Sequence, residues 1–264
     1  MITMKQKIYQ VDAFAEKMFS GNPAAVCPFT SWPDDQLMQH IATENNLAET
    51  AFYVKNGDGY EIRWFTPAAE VDLCGHATLA AAYVLFNCEG YQGNRIDFHS
   101  PRSGPLTVTK RGDLLILNFP TDVFEPVTIS DELQAGFNLK PLEAYKGKTD
   151  YMLVFEKESD IRAITPRLPE IARLQARGVI VTAKGDQTDF VSRFFAPAFA
   201  VDEDPVTGSA HTTLTPYWAK KLGKDELTAM QLSKRSGQLQ CRYLGDRVEI
   251  GGYGQLYMEG EINL

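Results

Sequence analysis

The chain lacks the features that would attach it to a membrane or to nucleic acid. Its longest apolar run, residues 79–86, is far shorter than the roughly 20 residues that a helix needs to cross a bilayer. The N-terminal segment has no apolar signal-peptide core. No basic run is present, and the formal net charge of -8 disfavours binding to nucleic acid or to an anionic membrane surface.

Cysteine and histidine are also scarce, with four of each. The cysteines form no CxxC pair and no disulfide-framework spacing, which is typical of reduced thiols in a cytoplasmic protein. The histidines show no HExxH or clustered ligand spacing, so we expect no metal site. The remaining composition, 44% hydrophobic and 23% charged over 264 residues, predicts a globular chain large enough for two lobes.

The sequence contains an internal repeat. Residues 41–67 align without a gap on residues 171–197. Residues 75–113 align on residues 208–246, and there the offset between the two copies is three residues larger. The second part repeats the tripeptide Arg-Ser-Gly, which begins at Arg102 in the first copy and at Arg235 in the second. The period is far longer than the roughly 20–50 residues of solenoid repeats. It therefore predicts a duplicated lobe, with the two copies related by a pseudo-twofold axis.

Each copy predicts the same order of elements. A short helix precedes two strands, which are joined in the first copy by a turn at residues 56–59. An apolar helix then runs from Cys74 to Gly90 in the first copy and from about Gly208 to Gly223 in the second. The first of these helices is apolar around most of its circumference, so strands should wrap it. The predicted fold class is α+β, with each lobe a mostly antiparallel, barrel-like sheet around a central helix.

Asymmetric chemistry needs residues that differ between the copies. Glu49 aligns with Val179, and the apolar strand residues beside Glu49 would partly desolvate its carboxyl group and suit it to acid/base work. His76 aligns with Ser209, at the first helical turn, where the dipole favours a neutral imidazole that shuttles a proton or binds a substrate. Structural interpretations remain open for both residues, as a solvated strand-edge glutamate and a structural histidine.

The third difference is an insertion of Glu203, Asp204 and Pro205, or residues near them, before the second central helix. Two acids and a rigid proline at a helix start suit either a functional site or simple compensation of the helix dipole. The sequence alone leaves both interpretations open for the insertion.

The two central helices share a glycine-bearing start. Gly75 begins one, and Gly208, between Thr207 and Ser209, begins the other. Both starts offer free backbone N–H groups at the positive end of a helix dipole. If the pseudo-twofold axis brings them face to face, they form an anion trap suited to a carboxylate. A nucleotide is disfavoured because the chain has no P-loop and no GxGxxG in a strand–helix context.

A set of segments resembles the phenazine biosynthesis-like (PhzF-like) family, which has the diaminopimelate-epimerase fold. They occur in family order and span most of the chain. The segments are residues 12–14 (DAF), 19–26 (FSGNPAAV), 46–52 (NLAETAF), 65–67 (FTP), 73–78 (LCGHAT) and 203–211 (EDPVTGSAH).

The resemblance implies what the site residues do. Glu49 matches the family's acid/base, and His76 and Asp204 match its other polar catalytic positions. Asn22 lies in a matching segment and is predicted to bind substrate with the helix-start residues. The family's namesake isomerises a dihydro-hydroxyanthranilate without a cofactor, so the resemblance implies a cofactor-independent isomerase of a small unsaturated carboxylate.

The resemblance also implies an active site between two lobes. We place the first lobe at residues 1–125, with a C-terminal strand near 255–264 returning to it, and the second lobe at 126–264. Such enzymes are often isologous dimers, so a homodimer is compatible with the sequence, although no segment specifies one.

One departure separates this chain from the epimerases of the same fold, which carry one cysteine at each helix start. Cys74 matches the first, but Thr207 occupies the second, and a hydroxyl cannot deprotonate a carbon acid as a thiolate can. Two alternatives to the isomerase stay open. One is a one-sided racemase or epimerase of an amino or hydroxy acid, with Asp204 or Cys74 as second base. The other is a non-catalytic protein that binds small acids.

Overall fold

The computed structural model describes residues 5–264, and the chain divides into two compact units. Unit 1 comprises the chain up to Asn118 together with Gly251–Leu264, and unit 2 comprises Phe119–Ile250. The chain therefore leaves unit 1, builds unit 2 and then supplies a last segment to unit 1. Within residues 5–264, no helix has the length and apolar character needed to span a membrane.

Both units contain helices and strands. The helices are α1 (Asp35–Asn45), α2 (Gly75–Asn87), α3 (Asp131–Ala135), α4 (Glu158–Ala163), α5 (Leu168–Ile171) and α6 (His211–Leu222). The strands are β1 (Lys5–Ala13), β2 (Asn22–Phe29), β3 (Glu49–Asn56), β4 (Gly59–Phe65), β5 (Glu70–Val71), β6 (Arg95–Ser100), β7 (Gly104–Arg111), β8 (Leu114–Pro120), β9 (Glu125–Pro126), β10 (Glu143–Lys146), β11 (Asp150–Val154), β12 (Gly178–Lys184), β13 (Phe190–Phe195), β14 (Glu226–Gln231), β15 (Gly237–Tyr243), β16 (Arg247–Gly252) and β17 (Gly254–Asn263).

The sheet of unit 1 is mostly antiparallel. Strand β1 pairs antiparallel with both β2 and β17, so the C-terminal segment is part of this unit's sheet. Strand β3 pairs parallel with β2, because α1 carries the chain back between them, and antiparallel with β4. The predicted turn joins β3 to β4: Asn56 pairs with Gly59, and Gly57 has a φ of +57°. This positive φ suits a two-residue hairpin loop.

Helix α1 begins at Asp35, directly after a capping aspartate. The side chain of Asp34 accepts a hydrogen bond from the backbone N–H of Gln36 and so caps the helix. Met38, Ile41 and Ala42 are buried on one face and pack on apolar residues of β2 and β3. This packing stabilises the parallel β2–β3 connection, which places the first residue of β3.

Helix α2 is the central helix of unit 1. Its residues 79–82 and Val84 have no exposed surface, and the helix packs against β1, β2, β3, β7 and β17. The prediction of an apolar helix wrapped by strands is therefore confirmed. Because three consecutive residues are alanines, the surrounding strands can approach the helix closely.

Unit 2 repeats the plan of unit 1. Strand β12 pairs parallel with β11 and antiparallel with β13, and β13 pairs parallel with β14. Helix α6 packs against β14 and β15. A second apolar core, which includes Phe137, Leu153, Ile161, Val181 and Phe195, lies among β11, β12, β13 and the short helices.

Helix α6 starts later than the sequence predicted. Residues 208–210 form tight turns instead, in which the N–H of His211 bonds the carbonyl of Gly208 at 3.0 Å and the N–H of Thr212 bonds that of Ser209 at 3.1 Å. These i→i+3 bonds are typical of a helix terminus. The helix ends at Gly223, whose φ of +68° fits the predicted glycine cap.

The strand registers correct the gapless alignment of the two copies. Thr50 lies opposite Phe65 in unit 1, whereas Val179 lies opposite Phe195 in unit 2. Since the two phenylalanines correspond, Val179 corresponds to Thr50, and β12 is displaced by one residue from the sequence alignment. Between matching paired rungs, the connection in unit 2 is residues 185–189 and the one in unit 1 is residues 56–59, so unit 2 has one more residue there, which absorbs the shift.

Candidate active site

Unit 1 places Glu49 at the first position of β3, beside Ala24 of β2. Its side chain is 19% exposed, so the carboxyl group is mostly buried yet open to solvent. By strand register its counterpart in unit 2 is Gly178, not Val179. A Cβ at Gly178 would lie 2.5 Å from the Phe194 ring, so unit 2 has no room for a side chain there. The carboxyl group is thus a feature of one copy alone.

The imidazole of His76 faces this carboxyl group. His76 is the second residue of α2 and is 6% exposed. Its Nε2 lies 3.1 Å from Oε2 of Glu49. On the other edge of the ring, Nδ1 lies 3.3 Å from Nδ2 of Asn22 and 3.5 Å from Sγ of Cys74. The ring is therefore anchored at Nδ1, on the side of the thiol, and its Nε2 faces the carboxyl group on the other side.

The electrostatics of this cluster act on His76 in opposite directions. Burial lowers the pKa of His76, but the adjacent Glu49 carboxylate raises it, and the net shift is upward. This direction is opposite to the one expected from the helix dipole, because a carboxylate 3.1 Å away has the stronger effect. Burial raises the pKa of the Cys74 thiol, so the thiol stays protonated at neutral pH. The imidazole and the carboxyl group together can exchange a proton with a bound molecule.

The same three residues bring an oxygen, a sulfur and a ring nitrogen within 4.8 Å of one another. They are a poor metal chelate, because Cys74 lies at the Nδ1 edge of His76 and Glu49 lies at the Nε2 edge. A single ion takes one nitrogen of a histidine, so it would not reach both other ligands without a rotation of the ring. The geometry suits proton exchange through the imidazole better.

Unit 2 places Asp204 in the inserted segment, next to Thr207. The Thr207 hydroxyl donates to Oδ2 of Asp204 at 2.5 Å. The buried amide of Gln231, on β14, donates to the Asp204 carbonyl at 2.8 Å and accepts from the Thr207 N–H at 2.8 Å. The other inserted acid, Glu203, forms an ion pair with Arg193 at 2.7 Å. Of the two inserted acids, Glu203 therefore pairs with strand β13 and Asp204 accepts a hydrogen bond from the segment that precedes α6.

The hydroxyl oxygen of Ser209 accepts a hydrogen bond from Nη1 of Arg177 at 3.0 Å. Arg177 also donates to both carboxylate oxygens of Asp150. Sequence reasoning missed Arg177, Asp150 and Gln231. A signal existed for Arg177, because the register matches it with Ala48, which is a change of charge one residue before the position of Glu49.

The structure brings the predicted residues together as two sets, one within each unit. Cys74 joins the first set as a buried thiol. The unit 1 set is Asn22, Glu49, Gly75 and His76, and the unit 2 set is Asp204, Thr207, Gly208 and Ser209.

The sequence model of the phenazine biosynthesis-like protein family matches residues 11–260 of this chain. The chain belongs to this family. A Pseudomonas aeruginosa protein named an uncharacterized isomerase is 53% identical over 262 residues, which cover 99% of this chain and 100% of that protein. A crystal structure of a PhzF-family protein from Enterococcus faecalis is 48% identical, with a TM-score of 0.96 over 99% of this chain and 100% of that one.

A more distant structure, a predicted epimerase from Pseudomonas aeruginosa, is 20% identical with a TM-score of 0.72 over 97% of this chain and 99% of that chain. It is similar to this PhzF-family chain in fold alone. The comparisons confirm the PhzF-like resemblance and the α+β fold of the diaminopimelate-epimerase type that the motifs predicted.

Proposed function

We propose that this PhzF-family protein is a cofactor-independent isomerase of a small unsaturated carboxylate, which it isomerises by removing a proton from one carbon and returning it at another. The observation that carries the proposal is the contact between Glu49 and His76, in which Oε2 and Nε2 lie 3.1 Å apart. The isomerase name of the Pseudomonas aeruginosa relative supports the reaction class.

Glu49 is the group that takes and returns the proton. Its Oε2 faces His76, which leaves Oε1 to approach a carbon of the substrate. The imidazole beside it, with Nε2 3.1 Å from Oε2, holds the carboxyl group in place for the proton transfer. Once Glu49 holds the proton, the same carboxyl group delivers it to a second carbon of the conjugated system. The carbon skeleton is neither oxidised nor reduced, because a proton leaves and a proton returns.

The helix-start segment of unit 2 binds the substrate in this proposal. The backbone N–H groups near Gly208 and the hydroxyl of Ser209 suit a carboxylate and the negative charge that develops when the proton leaves. Asp204 has its Oδ2 engaged by the Thr207 hydroxyl, and it would accept a hydrogen bond from a polar group of the substrate.

The Cys74 thiol and the Thr207 hydroxyl, at the two helix starts, favour this isomerisation over two-base epimerisation. A second base on the opposite face would have to be Cys74 or Asp204. Burial raises the pKa of the Cys74 thiol and so lowers its thiolate fraction. The Thr207 hydroxyl is engaged as a donor to Asp204. A single carboxylate base that serves both carbons needs no second base.

The test is deuterium incorporation, followed by NMR, during incubation in D₂O with a panel of small acids. The panel contains a dihydro-hydroxyanthranilate, amino acids and unsaturated hydroxy acids. We expect wild-type protein to label a carbon, and Glu49→Gln, which keeps the side-chain shape but removes the base, to lose labelling by about a thousandfold or more. The matched control is Glu44→Gln, because Glu44 is exposed on α1, and it should label at the wild-type rate.

The labelled position separates the candidate functions. Label at a carbon displaced from the original C–H, together with a shifted double bond, supports the isomerase. Label at the α-carbon with loss of chirality and no shift supports a racemase. Normal labelling by Glu49→Gln would remove Glu49 from the mechanism, and binding without any labelling would favour a protein that binds small acids.

A further inference from the structure

A half-buried ion pair in unit 2 holds the hydroxyl of Ser209. Nε of Arg177 donates to Oδ1 of Asp150 at 2.9 Å, Nη2 donates to Oδ2 of Asp150, and Nη1 donates to Oγ of Ser209 at 3.0 Å. The Asp150 side chain is 4% exposed. The guanidinium also lies over the Phe194 ring, 5.2 Å from its centroid. Three contacts thus fix the guanidinium plane, and with it the position of the serine oxygen.

The charge of Arg177 is already balanced. Burial lowers the pKa of Arg177, but the hydrogen bonds and charge of Asp150 raise it above its usual value, so the guanidinium stays charged. The bidentate carboxylate neutralises it. Arg177 is therefore poorly suited to bind a substrate anion on its own. It is well suited to polarise the neutral hydroxyl that it touches.

Unit 1 uses the same segment for its acid/base pair. The residues that lead into β3 carry Glu49 to His76, at the start of α2. The residues that lead into β12 carry Arg177 to Ser209, in the turn before α6. Ser209 is the residue that the sequence repeat matches with His76. The duplicated scaffold therefore presents a side chain to the helix-start residue in both units, but with opposite charge.

We propose that Arg177, anchored by Asp150, is a positioning residue that orients the Ser209 hydroxyl as a donor to the carboxylate of the substrate. The serine oxygen accepts from the guanidinium, so its own hydrogen points away from Arg177. A hydroxyl whose oxygen accepts from a cation is a stronger donor. Its preferred partner is an acceptor-only group, which a carboxylate is and an amide is not. The inference rests on the proposed function for the identity of the ligand class.

The experiment compares benzoate with benzamide, titrated by ligand-observed NMR. Benzoate offers a carboxylate on a small unsaturated ring, and benzamide replaces it with a neutral group of the same shape. We expect wild-type protein to prefer benzoate, and Arg177→Gln and Ser209→Ala each to weaken benzoate binding by about tenfold with little change for benzamide. The double variant should bind benzoate like Ser209→Ala alone, because Arg177 acts through the serine.

Two further variants guard against loss of folding. Removing Arg177 alone leaves the buried Asp150 carboxylate unpaired, so Arg177→Gln is repeated together with Asp150→Asn, which removes both charges. Arg173→Gln is the matched control, because Arg173 is exposed and pairs with Glu170 on the surface. The control should bind benzoate as wild type does.

The proposal is overturned by additive losses in the double variant, by an equal loss for benzamide, by undiminished benzoate binding in Arg177→Gln, or by wild-type protein that does not prefer the acid. Because binding needs no turnover, the same titration in Glu49→Gln separates the two proposals. Loss of labelling with intact benzoate selectivity supports both the proposed function and the role of Arg177. Normal labelling by Glu49→Gln contradicts the proposed function, and the benzoate titrations of the single and double variants then decide the role of Arg177.

Discussion

Histidine 211 should make the folded protein sensitive to mild acid. Its side chain has no exposed surface and packs near the ring of Phe190. Its Nδ1 lies 2.8 Å from the carbonyl oxygen of Thr207 and donates to it. Burial lowers the pKa of His211 from 6.5 to about 4. The folded state therefore resists a proton that the unfolded chain accepts readily.

The direction in which pH changes the stability follows from proton binding to the folded and unfolded states. Above pH 6.5 neither state binds the proton, and the full stability is present. As the pH falls toward 4, the unfolded chain gains a proton that the folded protein does not, so the free energy of unfolding decreases. At about 1.4 kcal/mol per unit of pKa difference, the loss is about 2 kcal/mol at pH 5 and about 3 kcal/mol below pH 4.

The other copy suggests the replacement. Thr78 occupies the matching position in α2, and its hydroxyl donates to the carbonyl oxygen of Cys74 at 2.6 Å. His211→Thr can make the same i→i−4 bond without a titrating ring. The variant leaves a cavity and should be less stable at pH 7, but its stability should fall by about 2 kcal/mol less than wild type between pH 7 and pH 5.

Urea unfolding at pH 7 and pH 5 measures this difference. His40→Gln serves as the control, because His40 is exposed on α1, and its pH dependence should match that of wild type. If His211→Thr and wild type lose the same stability between the two pH values, His211 is not the group responsible, and the reasoning from its burial is refuted.

Two further predictions concern backbone strain and thiol access. Gly21 has a φ of +71°, and a Cβ there would lie 2.3 Å from the Ala13 carbonyl oxygen, so Gly21→Ala should cost about 3 kcal/mol in urea unfolding. Gly223 has a φ of +68° with no described atom within 4 Å of such a Cβ, and Gly223→Ala should cost only about 1 kcal/mol; equal costs would contradict the steric argument. Iodoacetamide should modify the half-buried Cys88 at least about tenfold faster than the buried Cys74, as peptide mapping by mass spectrometry can show, and the reverse order would contradict the assigned burial.

The parts of the fold that the sequence predicted well are those with local signals. The turn at residues 56–59 and the apolar stretch of α2 each act within a few residues, and both elements form at the predicted place. The pairing of Glu49 with His76 joins residues far apart in the chain, but their difference between the copies and the family motif singled out both. The structure adds the distance between them.

The features that sequence reasoning missed depend on pairing between distant segments. The register of β12 follows from loop length and from its neighbours β11 and β13, so a gapless alignment assigned Glu49 the wrong counterpart. The contact of Arg177 with Ser209 depends on β11, which presents Asp150 beside Gly178. No local pattern in the sequence predicts that Asp150 lies beside Gly178. The upward shift in the pKa of His76 was missed for the same reason, because it depends on a carboxylate from another strand.

The pairing of β17 with β1 sets an order for folding during synthesis. Unit 2 is one continuous stretch of chain, Phe119–Ile250, so all its strands can pair as soon as that stretch has left the ribosome. Strand β1 is made first, yet one of its two edges waits for β17, which is translated after the whole of unit 2. During that interval the open edge of β1 is a template for pairing with other chains. Until β17 emerges and covers that edge, a nascent protein of this design is most exposed to aggregation through β1.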